Sequence, residues 1–282
     1  MFDETLAGSL RITGTTIRGD CGGVGVEPII EVKDLVMSYG NQAVLKGVNF
    51  RVYPGQVIGY IGPNGAGKST TIKIILGLIA KYHGTVKVFG EDIWKQGVFY
   101  KGRIGYVPEN ADVYESLSGH EYISFVGDLY GVPAEILAAR ATKLVTLLDL
   151  SDFYHSRISS YSKGMRQKLL IIASVIHNPD VLFLDEPITG LDVNSVMIFK
   201  EIIAGLARQG KTVFYSSHIM EVVEKISDRI ILLHKGVVAA DGTVEELQRA
   251  TLDDSLQGIF STVTGFNNHK GIADHFVAAV VG

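Results

Sequence analysis

Much is scarce in this chain of 282 residues. It has one cysteine, Cys21, so no intramolecular disulfide framework can hold it and a reducing cytosol suits it. Basic residues are not in excess. The 26 Lys and Arg face 30 Asp and Glu, a formal charge of -4, whereas a dedicated nucleic-acid binder carries a cationic surplus for the phosphate backbone. No apolar run is long enough to cross a bilayer: the stretch 169–176 falls well short of the ~20 residues a span needs. The first residues include Asp3 and Glu4 and no apolar segment, unlike a secretory signal. Repeats of 20–50 residues and sustained heptads are also missing, which excludes solenoids and long coiled coils.

What is present describes an ordinary folded protein, with 46% hydrophobic and 20% charged residues. Such a chain builds one large domain, or one domain with subdomains. Residues 1–28 hold many Gly and Thr with no sustained period and read as a poorly ordered leader. Strand texture then begins, over 29–36 and 43–53, the second ending at the Pro54-Gly55 turn. A short apolar strand over 57–61 runs into a glycine-rich turn and a helix expected over 68–79. Further strands are expected over 85–89, 104–107, 181–184, 212–215 and 230–233, with a helical block over 118–178. Strands alternating with helices on both sides of such a block predict a parallel α/β core carrying an inserted helical subdomain. The last stretch, 272–281, reads as a surface helix.

The turn after 57–61 reads Gly62-Pro63-Asn64-Gly65-Ala66-Gly67-Lys68-Ser69, followed by Thr70. Its glycines let backbone N–H groups converge on phosphate oxygens, and the helix that follows points its positive end at the same anion. Lys68 then reaches the terminal phosphates, and Ser69 offers a hydroxyl to Mg2+.

A second signal is the apolar run Val181-Leu182-Phe183-Leu184 ending in Asp185 and Glu186. Ligands of open α/β sheets sit at the carboxyl ends of the strands, where the glycine-rich turn also lies. Asp185 suits Mg2+, directly or through water, and Glu186 can polarise a water for in-line attack on phosphorus.

These two motifs fit many nucleoside triphosphatases. The stretch Tyr161-Ser162-Lys163-Gly164-Met165-Arg166-Gln167 narrows them, because it resembles the signature of ABC-transporter ATPases. The resemblance extends over about 29–247 and implies further roles. Tyr39 falls where an aromatic residue stacks on adenine, and Glu109 falls at the Q-loop position. Gly190-Leu191-Asp192 resembles the D-loop, and His218, after Ser216-Ser217, resembles the switch histidine. Ser162 and Gly164 hold the signature positions that face the γ-phosphate of ATP bound to the opposite subunit. Taken alone, Tyr39 reads as packing, Ser162 as a helix N-cap and Asp192 as a turn or cap.

From the resemblance follow a phosphate-loop NTPase (RecA-like) core with a small antiparallel β subdomain and an inserted helical subdomain. Residues 1–28 would be the leader, 29–250 the ATPase domain with its helical subdomain at about 110–178, and 251–282 a C-terminal tail. ATP and Mg2+ are the implied cofactors. The implied partners are a second ATPase subunit, identical or closely related, and a multispanning membrane permease that would hold the chain on the cytoplasmic face of the membrane. No nucleic acid is expected. Three positions depart from the family's pattern: Lys163 and Met165 replace a glycine and a glutamine, and Glu109 replaces the more common glutamine. The same departures resemble a branch serving exporter-type permeases. Two rival readings are a nucleotide-gated regulatory or repair protein and a small-molecule kinase. The first shares the ATPase fold but usually carries long coiled coils, two ATPase halves or a nucleic-acid-binding insertion, none of which is visible in the sequence; the second gives no reason for the signature and the Ser-Ser-His element.

Overall fold

A computed structural model describes residues 26–110, 113–265 and 269–281; residues 1–25 of the expected leader fall outside them. The first two strands, β1 (Ile30–Tyr39) and β2 (Gln42–Val52), form a hairpin in which Tyr39 pairs with Gln42. Its two-residue loop starts at Gly40, whose φ of 56° suits glycine, and Gly-Asn is a known hairpin signal. Next, β3 (Val57–Ile61) leads through the glycine-rich turn into α1 (Lys68–Ile75). After it come β4 (His83–Val88), β5 (Glu91–Asp92), the short α2 (Ile93–Gln96) and β6 (Ile104–Val107). The helical block holds α3 (Gly119–Leu129), α4 (Ala134–Leu147) and α5 (Lys163–Val175). The chain then alternates β7 (Val181–Asp185), α6 (Val193–Arg208), β8 (Thr212–Ser216), α7 (Met220–Ile226) and β9 (Arg229–His234). It closes with β10 (Val237–Gly242), α8 (Val244–Thr251), α9 (Leu256–Thr264) and α10 (His269–Val281).

Two sheets result. The antiparallel sheet has the order β2-β1-β4-β5, and the main sheet has the order β10-β9-β3-β8-β7-β6. In the main sheet the strands from β9 to β6 are parallel and only β10 is antiparallel. Strands β3, β7 and β8 are buried at every residue, which is why they lack the alternation of a half-exposed strand. One core lies between the two sheets, where Tyr60 and Phe214 rings stand 4.8 Å apart and Phe50 and Phe183 join them. A second core covers the opposite face with α6 to α9, and a third gathers Ile123, Leu137, Val145 and Leu169 inside the helical block. Each fully buried Leu, Ile or Phe contributes about 1.5–3 kcal/mol of transfer free energy.

The expected strands are present, with ends shifted by up to three residues. Three features differ in kind. The helix expected over 68–79 stops at Ile75, because Gly77 turns left-handed at φ 63°. The N–H of Gly77 bonds to Ile74 O and that of Leu78 to Lys73 O at 2.8 Å, a Schellman stop. The block 118–178 is not continuous helix; short 3-10 turns occupy Ser151–Phe153 and Ile158–Ser160. Strand β10 was not foreseen: Lys235 and Gly236, both at positive φ, close a tight hairpin from β9. Beyond residue 250, α9 buries Leu256 and Ile259 completely in the second core, so this part of the expected tail packs on the body. In α10 the side chains of Phe276, Val277, Val280 and Val281 are exposed. Among the described residues no helix is long and apolar enough to cross a membrane.

Candidate functional site

The parallel strands deliver their carboxyl ends to one edge of the main sheet. There Asp185 of β7 pairs with Ser216 of β8, and Ser216 in turn lies opposite Tyr60 of β3. The glycine-rich turn leaves the end of β3 at that edge, so sheet register alone sets it beside the two carboxylates. Between them opens a cleft of about 420 Å³, lined by Tyr39, Gln42 and Val44 on one side, Asn64, Gly65, Gly67, Lys68, Ser69 and Thr70 below, and Glu109, Asp185 and Glu186 opposite.

The turn itself is built for close approach. Gly67 caps α1 at φ 108°, and a Cβ there would stand 2.5 Å from Leu45 Cδ2. Glycine is therefore required on both backbone and steric grounds. Lys68 folds back over the turn, its Nζ donating to the carbonyls of Gly62 at 2.8 Å and Pro63 at 3.3 Å. Burial lowers the Lys68 pKa, while the charges of Glu186, Asp185 and Glu109 act against that shift.

Opposite the lysine, Asp185 and Glu186 are both buried. Burial is the main reason the Asp185 carboxyl is held above the usual carboxylate range. Hydrogen bonds from Ser216 and Ser69 oppose that shift, and the charges of Glu109 and Glu186 reinforce it. The Tyr106 phenol beside them is pushed up to about 12, first by burial and then by Asp185 and Glu109. Glu186 sits in the left-handed region at φ 51°, a conformation that costs on the order of 1–3 kcal/mol for such a residue. Its N–H is held by Ser216 O at 2.9 Å, and its Oε2 accepts from Ser217 Oγ at 3.3 Å and lies 2.8 Å from Nδ1 of His218.

Of the residues singled out from the sequence, Tyr39, Asn64, Gly65, Gly67, Lys68, Ser69, Thr70, Glu109, Asp185 and Glu186 share the cleft wall. Gly62, Pro63 and Ala66 belong to the same turn without lining the cleft, and His218 reaches it through Glu186. Ser162, Gly164 and Asp192 do not line it. Ser162 caps α5, accepting from Met165 N at 3.2 Å, and Asp192 caps α6, accepting from Ser195 N at 2.9 Å. The signature turn and the loop after β7 touch each other: a Cβ on Gly164 would lie 2.8 Å from Gly190 O, and the Lys163 stem covers Gly190. The sequence reading missed Gln42 and Val44, whose only signal was the Gly40-Asn41 turn that brings them back beside Tyr39.

No group of three or more His, Cys, Asp or Glu among the described residues could hold a metal ion unaided. Ser69 and Asp185 nonetheless present hard oxygens side by side, the donor type Mg2+ takes when phosphates and waters complete its shell.

Comparison with known proteins points the same way. The family described as ABC transporter matches residues 45–189. An uncharacterised ABC transporter ATP-binding protein of Methanocaldococcus jannaschii is 38% identical over 224 residues, covering 79% of this chain and 81% of that protein. The Nod factor export ATP-binding protein I of Ralstonia nicotianae is 34% identical over 225 residues, covering 80% of this chain and 70% of that protein. A solved structure of the ATP-binding subunit of an ABC transporter superposes with a TM-score of 0.80 at 32% identity, covering 84% of this chain and 99% of the other. A chain that matches the family over both the glycine-rich turn and the acidic strand, and shares the fold of a solved ATP-binding subunit over 84% of its length, belongs to the ABC transporter family as an ATP-binding ATPase subunit.

Proposed function

We propose that the cleft binds ATP with Mg2+ and hydrolyses it at Glu186, and that two such chains close head to tail on two nucleotides to drive a separate membrane permease. The observation that carries this reading is the convergence of the glycine-rich turn, Lys68, Asp185 and Glu186 on one cleft. Adenine stacks on Tyr39 at the rim. The triphosphate lies over the glycine-rich turn and the N-terminus of α1, and Lys68 exchanges the carbonyls of Gly62 and Pro63 for phosphate oxygens. Ser69, Asp185 and Glu109 hold Mg2+, which supplies charge neutralisation at the phosphates. Glu186 orients the attacking water and His218 fixes the Glu186 carboxylate.

Ser162 and Gly164 carry the dimer argument. They stand outside the cleft of their own chain, so a second copy is the means of bringing them to a γ-phosphate. Hydrolysis then removes the contact that holds the pair closed, a two-state element biased by ligand. Residues 29–250 form the motor, and the helical block at about 110–178 relays closure to the permease. The exposed Tyr114, Phe125 and Leu129 give the block an apolar face for that contact. The permease would hold the chain on the cytoplasmic face of the membrane. The relative named for Nod factor export, together with Glu109, Lys163 and Met165, favours export as the direction.

Native purification tests the reading. The expected result is a multispanning membrane protein in fixed ratio with this chain, and ATP-dependent pairing of the Glu186→Gln variant in that complex. Recovery of bound nucleic acid or a phosphorylated metabolite without any membrane protein would overturn it.

A further inference from the structure

The loop after α5 is a junction that the proposed chemistry leaves unused. His177 stacks face to face on Tyr130, the residue that ends α3, with ring centroids 3.7 Å apart and planes within 8°. Its Nε2 lies 3.0 Å from the carbonyl oxygen of Ile104, and the Tyr130 hydroxyl reaches the same oxygen at 3.5 Å. A carbonyl only accepts, so the imidazole proton sits on Nε2. The other ring nitrogen, Nδ1, is buried without a partner. Burial lowers the His177 pKa, and the nearby Arg140 and Lys211 also lower it, while the bond to Ile104 acts against that shift. Asp180, the acid close by, is already engaged by Arg103 at 2.7 Å and Lys211 at 3.6 Å.

Ile104 begins β6, the edge strand of the main sheet, and five residues on the chain reaches Glu109 in the cleft wall. An edge strand leaves backbone groups without a strand partner. Here one of them is met by a side chain that is clasped from the other side by the helical block. The contact beside it is tight: a Cβ on Gly105 would fall 2.1 Å from Ser174 O, so α5 lies directly on β6.

We propose that His177 is a positioning residue for the hydrolytic site, tying the end of α3 to β6 so that a shift of Glu109 on nucleotide binding moves the helical block. The proposal rests on Glu109 responding to nucleotide, as in the function above. A cap that merely satisfied the Ile104 carbonyl would not need a ring stacked on α3. Pivoting about this point lets α3 follow β6 without breaking the third core.

Hydrogen exchange on the full chain tests it, with and without ATP and magnesium, following the segments 104–110 and 126–131. With His177 in place, both segments should change together. His177→Phe keeps a ring for Tyr130 but loses the bond to Ile104; the response at 104–110 should persist, and that at 126–131 should weaken about tenfold, the effect of one hydrogen bond. Its kcat should drop by a similar factor with the KM for ATP changed by less than about twofold, a split that a purely structural role would not give. If that variant fails to fold, Tyr130→Ala breaks the clasp from the other side and should uncouple the same segments. An undiminished response at 126–131 in the variants, or none in the chain that keeps His177, overturns the proposal. Normal hydrolysis by Glu186→Gln would instead overturn the catalytic reading and leave the exchange comparison interpretable.

Discussion

Nδ1 of His218 stands 2.8 Å from Oε2 of Glu186, although the His218 side chain is 65% exposed and the Glu186 side chain only 11%. The pair thus joins a solvent-facing ring to a carboxylate aimed into the cleft. Glu186 is a poor candidate for mere surface charge, because its backbone is held at positive φ and its carboxylate is gripped by Ser217 and His218. The Glu186→Gln variant is expected to bind ATP as tightly as the parent and to lose at least about 100-fold in turnover, the size of a lost base or water-orienting group. Single-turnover hydrolysis beside calorimetric binding checks both halves.

Lys68 carries the second prediction. Its ammonium is held by two carbonyls of the turn, bonds that neutral acceptors provide and that phosphate oxygens would strengthen. Removing it by Lys68→Ala loses charge-assisted hydrogen bonds worth about 1.5–3 kcal/mol, or roughly 10–100-fold in affinity. Isothermal calorimetry with ATP reads this directly, and unchanged affinity would contradict the phosphate-binding assignment of the turn.

Much of this site was legible because its signals are local. A fully apolar strand ending in two acids, and eight residues of glycine-rich turn, announce themselves without tertiary knowledge. The stop of α1 was also written locally, in Gly77, but the apolar period through Leu78 and Ile79 masked it. Other features were out of reach of any window. Gln42 and Val44 enter the cleft wall only because the β1–β2 hairpin folds over the turn, and α9 looks like tail until Leu256 and Ile259 meet α7 and α8. The contact of Gly164 with Gly190 joins segments 26 residues apart in sequence and has no periodic signature.

Asp185 predicts an opposition between stability and activity. Burial, aided by Glu109 and Glu186, raises its pKa in the folded chain above the ordinary carboxylate value. A carboxyl shifted this way binds its proton more readily folded than unfolded, so it favours folding below the unfolded pKa and loses that contribution as pH rises through the folded one. At neutral pH, without a divalent cation, the native state therefore bears an unfavourable charge. Asp185→Asn is expected to be more stable than the parent by about 0.5–2 kcal/mol in metal-free neutral buffer. The gap should close as the pH falls into the carboxylate range. Thermal melts across pH, with and without magnesium, check this, and magnesium-dependent turnover should be lost at every pH.

Gly164 offers the sharpest steric test. It occupies the first turn of α5, where exchanging glycine for alanine ordinarily stabilises a helix by about 0.5–1 kcal/mol. Here the new methyl would meet the carbonyl oxygen of Gly190 at 2.8 Å, and that oxygen is backbone, with no rotamer to swing aside. Gly190 itself stands at φ 87° under the stem of Lys163, so the loop that leads on from Glu186 must yield instead. Gly164→Ala should gain no thermal stability. It should keep ATP affinity in the isolated chain within about twofold, since the cleft wall is untouched, yet lose turnover by about tenfold or more through displaced catalytic geometry. A stabilised variant with normal turnover would mean that the signature turn and the loop after β7 move independently, and would remove the structural link between the signature turn proposed to meet a second subunit and the Glu186 carboxylate.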